Sequence, residues 1–351
     1  MAAPMPLYEL EPQALAALTA FLRQLGSEPD PGVEADALHV ATVVTPDANP
    51  DDAAAMLGVL RFWARTARSA GRPWRLHEWR LAGPPESWAG QLETRYGEQA
   101  VFALLSGLGA AEWGPVHEFC EARNVACVLP SVDVLGSADG HFSMYYAEGV
   151  TLEAQILAKH LQREESASPS RIVHLYSGDS ARLAVKAFDD AWKNPDGLPE
   201  SLAVRYHLTA PGAALRDVND ADTLVLWLDA DAIAQLAAES ASPPVRQVYV
   251  SALLASPEDL DLPAEWKRVT QFVTLFDDFG MQAEIARLRL ERWLEQNGLG
   301  APANRRLQAD ADAAAYLFDE SIAARGRQQS RRPAVPLTRV HVLEVLVARV
   351  A

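Results

Sequence analysis

Several short segments of this sequence combine small, hydroxyl and carboxylate residues in a way that could hold a small ligand. The run Ser106-Gly107-Leu108-Gly109-Ala110-Ala111 leads into Trp113, where a predicted helix would offer free backbone N–H groups to a carboxylate. Other segments each supply a hydroxyl or a carboxylate: Ser131 and Asp133, Ser177 and Asp179, and Asp229. Taken alone, each such residue is more often a helix N-cap, and the first run is equally well explained by close packing. Their joint placement after successive predicted strands favours binding.

Catalytic constellations are not indicated. Thr45-Pro46-Asp47 follows the first predicted strand, where a dinucleotide-binding protein would have a glycine-rich fingerprint. The sequence has no P-loop lysine motif and no nucleophile elbow. The eight histidines are scattered without metal-ligand spacing, and the acid pair Asp277 and Asp278 is weak support for acid/base chemistry. We therefore expect no catalytic residues, no metal and no cofactor.

The candidate segments follow strands in an alternating β and α pattern. Apolar runs predict strands at residues 38–44, 74–81, 101–105, 126–129, 142–146, 172–176, 202–207, 223–228, 247–251 and 269–276. Helical periodicity predicts helices at residues 51–70, 87–96, 113–124, 152–163, 181–192, 282–296 and 309–324, the first capped by Asp51 or Asp52. Apolar strands separated by amphipathic helices predict an α/β fold with parallel sheets covered on both faces.

Length, charge and cysteine content narrow the class of protein. At about 100 to 200 residues per domain, 351 residues predict two lobes. The net charge of −16 disfavours nucleic acid, and the arginine-rich stretch at residues 325–332 is interpreted as a solvated loop. No apolar run reaches the ~20 residues of a membrane span, and the start lacks a secretory signal, which taken literally indicates the cytoplasm. Cys120 and Cys127 form either one disulfide or two buried thiols.

The order of elements over about residues 37 to 340 resembles the type I periplasmic binding proteins, which include the branched-chain amino-acid and amide receptors of ABC transporters. The resemblance rests on the aromatic run at residues 142–150, the helix at residues 151–161 and the strand at residues 171–176. It implies two Rossmann-like lobes, with parallel sheets joined by a hinge, which close on a ligand. Lobe 1 would comprise residues 37–135 and 247–325, and lobe 2 residues 136–246 and 326–351.

The resemblance also assigns a binding site and a function. First-lobe contacts would come from Ser106, Leu108, Ala110, Ala111, Trp113, Ser131 and Asp133, and second-lobe contacts from Tyr145, Tyr146, Ser177, Asp179 and Asp229. Ala110 and Ala111 replace the family's usual serine or threonine, a departure that bears on amino-acid specificity. The implied function is capture, without catalysis, of an amino acid, an amide or a small organic acid for uptake or sensing.

The N-terminal segment is similar to the end of a class I cytochrome c domain. Met5-Pro6-Leu7-Tyr8 and a short amphipathic helix at residues 13–25 carry this likeness, so residues 1–26 are interpreted as a remnant and residues 27–36 as a linker. No Cys-x-x-Cys-His motif occurs, so covalent haem attachment is excluded. The two resemblances together imply a periplasmic location, with an ABC permease or a periplasmic cytochrome or dehydrogenase as partner.

Two other functions stay open at this point. An α/β enzyme would need a paired histidine with serine, cysteine or aspartate in the cleft. A degenerate lobe pair acting as a regulatory or scaffold module is favoured if bulky side chains such as Trp113 fill the cleft.

Overall fold

A computed structural model describes most of the chain. The described residues are 30–109, 113–133, 140–163, 171–192, 200–206, 211–216, 218–220, 222–240, 242–257, 260–275, 281–301, 304–329 and 339. The cytochrome-like segment and the linker up to residue 29 lie outside them, as do Ala110 and Ala111.

The first lobe is a mainly parallel sheet covered by helices. Its strands are β1 (Leu38–Val44), β2 (Arg68–Ser69), β3 (Arg72–Arg80), β4 (Ala103–Leu105), β5 (Leu108–Gly109), β6 (Ala126–Val128), β7 (Ser131–Val132) and β8 (Ser143–Met144). The helices between them are α1 (Pro50–Thr66), α2 (Trp88–Glu98) and α3 (Gly114–Arg123). The strand order is β2-β3-β1-β4-β6-β8, and β5 joins β1 to β7. Every pairing is parallel except that of β2 with β3. The all-buried β1 is central because both of its faces are apolar.

The second lobe repeats this architecture with a smaller sheet. Its elements are α4 (Val150–Arg163), β9 (Arg171–Tyr176), α5 (Gly178–Trp192), β10 (Glu200–Arg205), β11 (Thr223–Trp227), α6 (Ala230–Glu239), β12 (Gln247–Ser251), α7 (Ala264–Val269) and β13 (Thr270–Val273). The strand order is β10-β9-β11-β12-β13, all parallel. Two long helices follow, α8 (Met281–Gln296) and α9 (Arg305–Gln329). The predicted fold class, a mixed α/β fold with parallel sheets, is confirmed.

The start of α1 differs from the prediction. Asn49, not Asp51 or Asp52, is the N-cap, and its side-chain oxygen accepts from the backbone N–H groups of both aspartates. Pro50 occupies the first helical position, where its missing N–H costs nothing, so the helix begins earlier than its acids indicate.

The sheets do not follow the predicted lobe division. Strands β12 and β13 were expected in lobe 1 but pair in the second sheet, with β12 lying in register beside β11. Strand β8, expected in lobe 2, pairs with β6 of the first sheet. Helices α8 and α9 do return to the first lobe, where Leu294 and Phe318 enter its core. The apolar pattern of a strand shows that it is buried, but not which neighbour it pairs with.

Arg339, in the segment expected in lobe 2, is buried against the first lobe. Its side chain is 4% exposed, and its backbone N–H donates to Asp30 Oδ2 at 2.6 Å. Its guanidinium donates to the carbonyl oxygens of Pro31, Val101, Arg123 and Asn124 and to the Tyr96 hydroxyl. These acceptors precede β1, β4 and β6 or lie on α2. Arg339 therefore links the starts of three strands of the first sheet to α2 through hydrogen bonds.

A helix that crosses a bilayer needs about 20 predominantly apolar residues. Among the described helices, none is both long and apolar enough to cross a membrane.

Candidate functional site

A small cavity lies where the loops of the two lobes meet, and we call it the interlobe cavity. It is lined by Pro130, Ser131, Val132, Tyr146, Ala147, Gly149, Leu253, Leu275, Arg306 and Asp310. These residues follow β6 and β8 of the first sheet or form β7, follow β12 and β13 of the second sheet, or belong to the first turns of α9. Ligands of open α/β sheets bind beyond such carboxyl ends of strands. The free volume is about 20 Å³, room for about one water molecule.

Helix α9 is bonded to the first lobe at this cavity. Ser131 Oγ donates to Asp310 Oδ2 at 3.1 Å, and the Tyr146 hydroxyl donates to the Asp310 backbone oxygen at 2.7 Å. Burial raises the pKa of Tyr146 above its ordinary value, with Asp310 and Asp312 adding to the shift, so the phenol stays a donor at neutral pH. Ser131 and Tyr146 are thus predicted site residues that the structure brings together.

Two carboxyl groups with perturbed pKa values lie next to residues of the lining without belonging to it: Asp133 follows Val132 in the chain, and Glu153 accepts from the Leu253 N–H. Burial raises the pKa of half-buried Asp133 to about 7; Arg306 opposes the shift, and Asp47 and Asp52 add to it. Burial raises the pKa of Glu153 to about 8, although Ser251 Oγ and the Leu253 N–H donate to its carboxylate. Glu153 is 0% exposed. Both groups are therefore partly protonated near neutral pH. In the protonated state they accept weaker hydrogen bonds than the ionised carboxylates would.

The loop that begins at Ser106 does not line the interlobe cavity. The backbone oxygens of Gly107 and Leu108 accept from the N–H groups of Ser131 and Thr45, which ties the loop into the sheet. The indole of Trp113, 2% exposed, lies directly on Gly107 and Gly109. Within the described residues, buried Ser106 Oγ and Trp113 Nε1 have no hydrogen-bond partner. Ser106, Leu108 and Trp113 therefore form part of the packed interior here.

Contact with Trp113 accounts for Gly107. A Cβ at this position would lie 2.8 Å from the indole, and φ is +131°, which L side chains rarely adopt. We expect Gly107→Ala to lower the free energy of unfolding by about 1–3 kcal/mol in urea denaturation. The matched control is Gly90→Ala in α2, where a Cβ meets nothing within 4 Å; it should leave stability unchanged or raise it by up to about 1 kcal/mol. Equal effects of both substitutions would contradict the packing of Trp113.

The adjacent tyrosines face different surroundings. The Tyr145 hydroxyl lies 2.8 Å from His117 Nδ1, and the two rings stack, so Tyr145 points at α3. Tyr146 lines the cavity. Because alternate residues of an extended chain point to opposite sides, only one of the pair could reach the cleft.

The remaining predicted second-lobe residues lie outside the cavity. Ser177, Asp179 and Asp229 are exposed at the ends of β9 and β11. Asp229 is the N-cap of α6 and accepts from the Ala232 N–H at 2.8 Å, and Asp179 forms an ion pair with Arg182. Asp229 therefore has the capping role that its residue type favours.

Residues that sequence reasoning missed contribute most of the charge at the cavity. Arg306 and Asp310 are one helical turn apart on α9, and Glu153 lies on α4. The predicted helix began at residue 309, so it included Asp310 but not Arg306. The signal that could have extended it is Leu307, which lies four residues before buried Ala311 on the same face.

Cys120 and Cys127 form a disulfide. Their Cα atoms are 6.2 Å apart, and the bridge links the end of α3 to β6 across the left-handed turn at Asn124. This settles the alternatives left open by the sequence in favour of the bridge. No group of three or more metal-ligating side chains occurs in the part of the chain that the structure describes.

We expect reduction of this disulfide to lower the free energy of unfolding by about 2 kcal/mol, because a short loop is released in the unfolded chain. Thermal melting with and without a reductant measures the effect. A Cys120→Ala, Cys127→Ala double variant should melt like the reduced protein and be insensitive to the reductant. If wild type and variant melted alike without reductant, the bridge would contribute no stability.

Solved structures with this fold support the two-lobed reading. A fatty acid ABC transporter substrate-binding protein from Thermomonospora curvata superposes with a TM-score of 0.67 at 14% identity, covering 92% of this chain and 83% of its own. The chain has the fold of type I periplasmic binding proteins. A periplasmic substrate-binding protein from Ralstonia solanacearum gives 0.64 at 15% identity, with 88% of each chain covered. A leucine-binding protein from Thermotoga maritima gives 0.63 at 12% identity, covering 88% of this chain and 87% of its own.

Sequence comparisons add nothing to this fold assignment. No protein-family model matches the chain, and no curated protein is detectably similar to it in sequence.

Proposed function

We propose that this chain captures a small polar solute in the interlobe cavity without transforming it, as a periplasmic substrate-binding protein for ABC-type uptake or sensing. The observation that carries the proposal is the convergence of polar side chains on one cavity between two parallel sheets. Ser131, Tyr146, Arg306 and Asp310 supply hydroxyls, a cation and a carboxylate there. A few convergent polar groups within apolar walls are typical of a small-molecule site.

The solutes considered are an amino acid, an amide or a small organic acid. Similar structures named as binding proteins for leucine and as transporter components for fatty acids support this range. The cavity as it stands has room for about one water molecule, so binding requires the lobes to separate and close again around the solute.

The disulfide supports the periplasmic location. Disulfides persist in oxidising compartments and are rare in the cytosol. The net charge of −16 supports a small solute over nucleic acid as partner. An ABC permease is the proposed protein partner; the cytochrome-like segment up to residue 26 is the only support for a periplasmic cytochrome or dehydrogenase instead.

A thermal-shift screen of the purified chain tests the proposal. The panel contains amino acids, amides, short organic acids and alcohol-oxidation products. A ligand at 100 times its dissociation constant should stabilise the protein by about 2.7 kcal/mol. The stabilised class is then titrated by calorimetry against wild type and Tyr146→Phe, with Tyr316→Phe on exposed α9 surface as the control. Weaker binding by the first variant alone places the solute in the cavity.

A regulatory or scaffold module is the second candidate. Trp113 packs on the loop that the resemblance assigns to ligand binding, and the cavity is small. A folded protein that no compound in the panel stabilises would favour this candidate over solute capture.

A further inference from the structure

Arg306 occupies an unusual position at the interlobe cavity. It lies in the first turn of α9, lines the cavity and is exposed to solvent. Its charge acts on Asp133, which follows β7 of the first sheet, and on Glu153, which lies on α4. Yet within the described residues its guanidinium makes no hydrogen bond or ion pair. Its five N–H donors are therefore available to a molecule in the cavity.

The start of α9 adds to this positive potential. Asn304 caps the helix by accepting from the Leu307 N–H at 3.0 Å, and the neighbouring N–H groups of the first turn carry the positive end of the helix dipole. Arg306 and the first turn of α9 thus present the same sign of charge. An anionic group placed against Arg306 would be stabilised by the guanidinium and by the positive end of the helix dipole.

The loop from residue 106 to residue 109 leaves little for an anion to bind. The Trp113 indole lies on Gly107 and Gly109, and Ser106 is only 2% exposed, so the potential donors of this loop are covered. The Ser131 hydroxyl donates to Asp310. Among the described residues that line the cavity, Arg306 is the only cation.

We propose that Arg306 binds a carboxylate of the solute, in place of the loop that begins at Ser106. The inference rests on the proposed function, because it concerns the same cavity. A planar guanidinium matches a carboxylate through two parallel N–H···O bonds, which an ammonium cannot reproduce. Arg306 is then the residue that selects carboxylate-bearing solutes over amines and neutral amides.

The test is calorimetric titration of four proteins with matched probes. The proteins are wild type, Arg306→Ala, Arg306→Lys and the control Arg292→Ala, which removes an exposed arginine of α8 outside the cavity. The first probes are leucine, 4-methylpentanoate and 3-methylbutylamine, which carry both a carboxylate and an ammonium, a carboxylate alone, or an ammonium alone on the same 3-methylbutyl group. If the thermal-shift panel identifies another stabilising compound, its carboxylate, amide and amine analogues are titrated next.

For a carboxylate probe that wild type binds, Arg306→Ala should weaken binding about 10- to 100-fold, as expected on losing a charged hydrogen-bonding partner. The affinity of Arg306→Lys for this probe should lie between those of wild type and Arg306→Ala. The affinity of Arg292→Ala should equal that of wild type. Without a probe, the melting temperature of Arg306→Ala should equal that of wild type, because the side chain is exposed and makes no contact that the fold requires. Equal affinity of Arg306→Ala and wild type for the carboxylate overturns the inference.

The remaining outcomes separate this inference from the proposed function. If wild type binds only amines or neutral amides, the carboxylate assignment to Arg306 is wrong and solute capture stands. If wild type binds no compound of the whole panel, solute capture itself fails, and the assignment fails with it.

Discussion

Replacing Arg339 by alanine should lower the free energy of unfolding by about 3–5 kcal/mol, because several buried acceptors each lose a donor at a cost of about 1–3 kcal/mol. The guanidinium donates to four backbone carbonyls and to the Tyr96 hydroxyl. Several of these groups lie at the start of buried strands, so the substitution leaves buried acceptors without a donor. Urea denaturation of variant and wild type measures the loss.

The control for this prediction is Arg292→Ala, which removes an exposed arginine and should change stability by less than about 0.5 kcal/mol. Arg339→Lys should recover part of the loss, because an ammonium keeps the charge but reaches fewer carbonyls. A loss below about 1 kcal/mol for Arg339→Ala would show that water reaches this edge of the lobe and replaces the side chain.

Glu153→Gln should make the protein more stable at high pH and leave it nearly unchanged at low pH. The folded-state pKa of Glu153 is about 8, above the ordinary value of 4.5. The folded protein therefore binds a proton that the unfolded chain has released. This contribution to stability is fully present below about pH 4.5 and is lost as the pH rises through 8. At pH 9 the neutral glutamine should gain roughly 3–5 kcal/mol over the ionised glutamate.

The measurement is the free energy of unfolding of both proteins at pH 5, 7 and 9. Glu148→Gln, at an exposed site close by on the chain, is the matched control and should show no such trend. His174 acts in the opposite direction, because burial lowers its pKa to about 3 and stability from this group falls as the pH drops below 6.5. Because wild type and Glu153→Gln both contain His174, the difference between them at each pH is free of the His174 contribution. A constant difference between Glu153→Gln and wild type would contradict the raised pKa.

The strands could be located from the sequence because a buried strand appears as a short run of apolar residues. Strands β1 and β12 have the predicted bounds, since each is an apolar run flanked by polar residues. Helix α6 was missed: its ten residues carry only Ile233 and Leu236 as large apolar side chains, so helical periodicity is weak. Missing α6 also hid the pairing of β12, because β11, α6 and β12 form one βαβ unit of the second sheet.

The candidate site was less accessible from the sequence. Ser131 and Asp133 could be found because they closely follow the predicted strand at residues 126–129, whereas Tyr146, at the end of the predicted strand at residues 142–146, was named only through the resemblance. Arg306 and Asp310 enter the cavity from a helix that begins more than 150 residues after Ser131, so only the folded chain brings them there. The role of Trp113 was equally hidden, since a tryptophan beside small residues is compatible with either contact to ligand or packing on the glycines.

The bond between Arg339 and Asp30 has a practical consequence. It fixes two points that are 309 positions apart in the chain at one place on the first lobe. That place lies where β1, β4 and β6 begin, whereas the interlobe cavity lies where strands end. A fluorophore attached there would serve as a stationary reference, and a second dye on the second lobe would report its displacement as a change in energy transfer. Surface immobilisation near Asp30 would likewise leave the mouth of the cavity unobstructed.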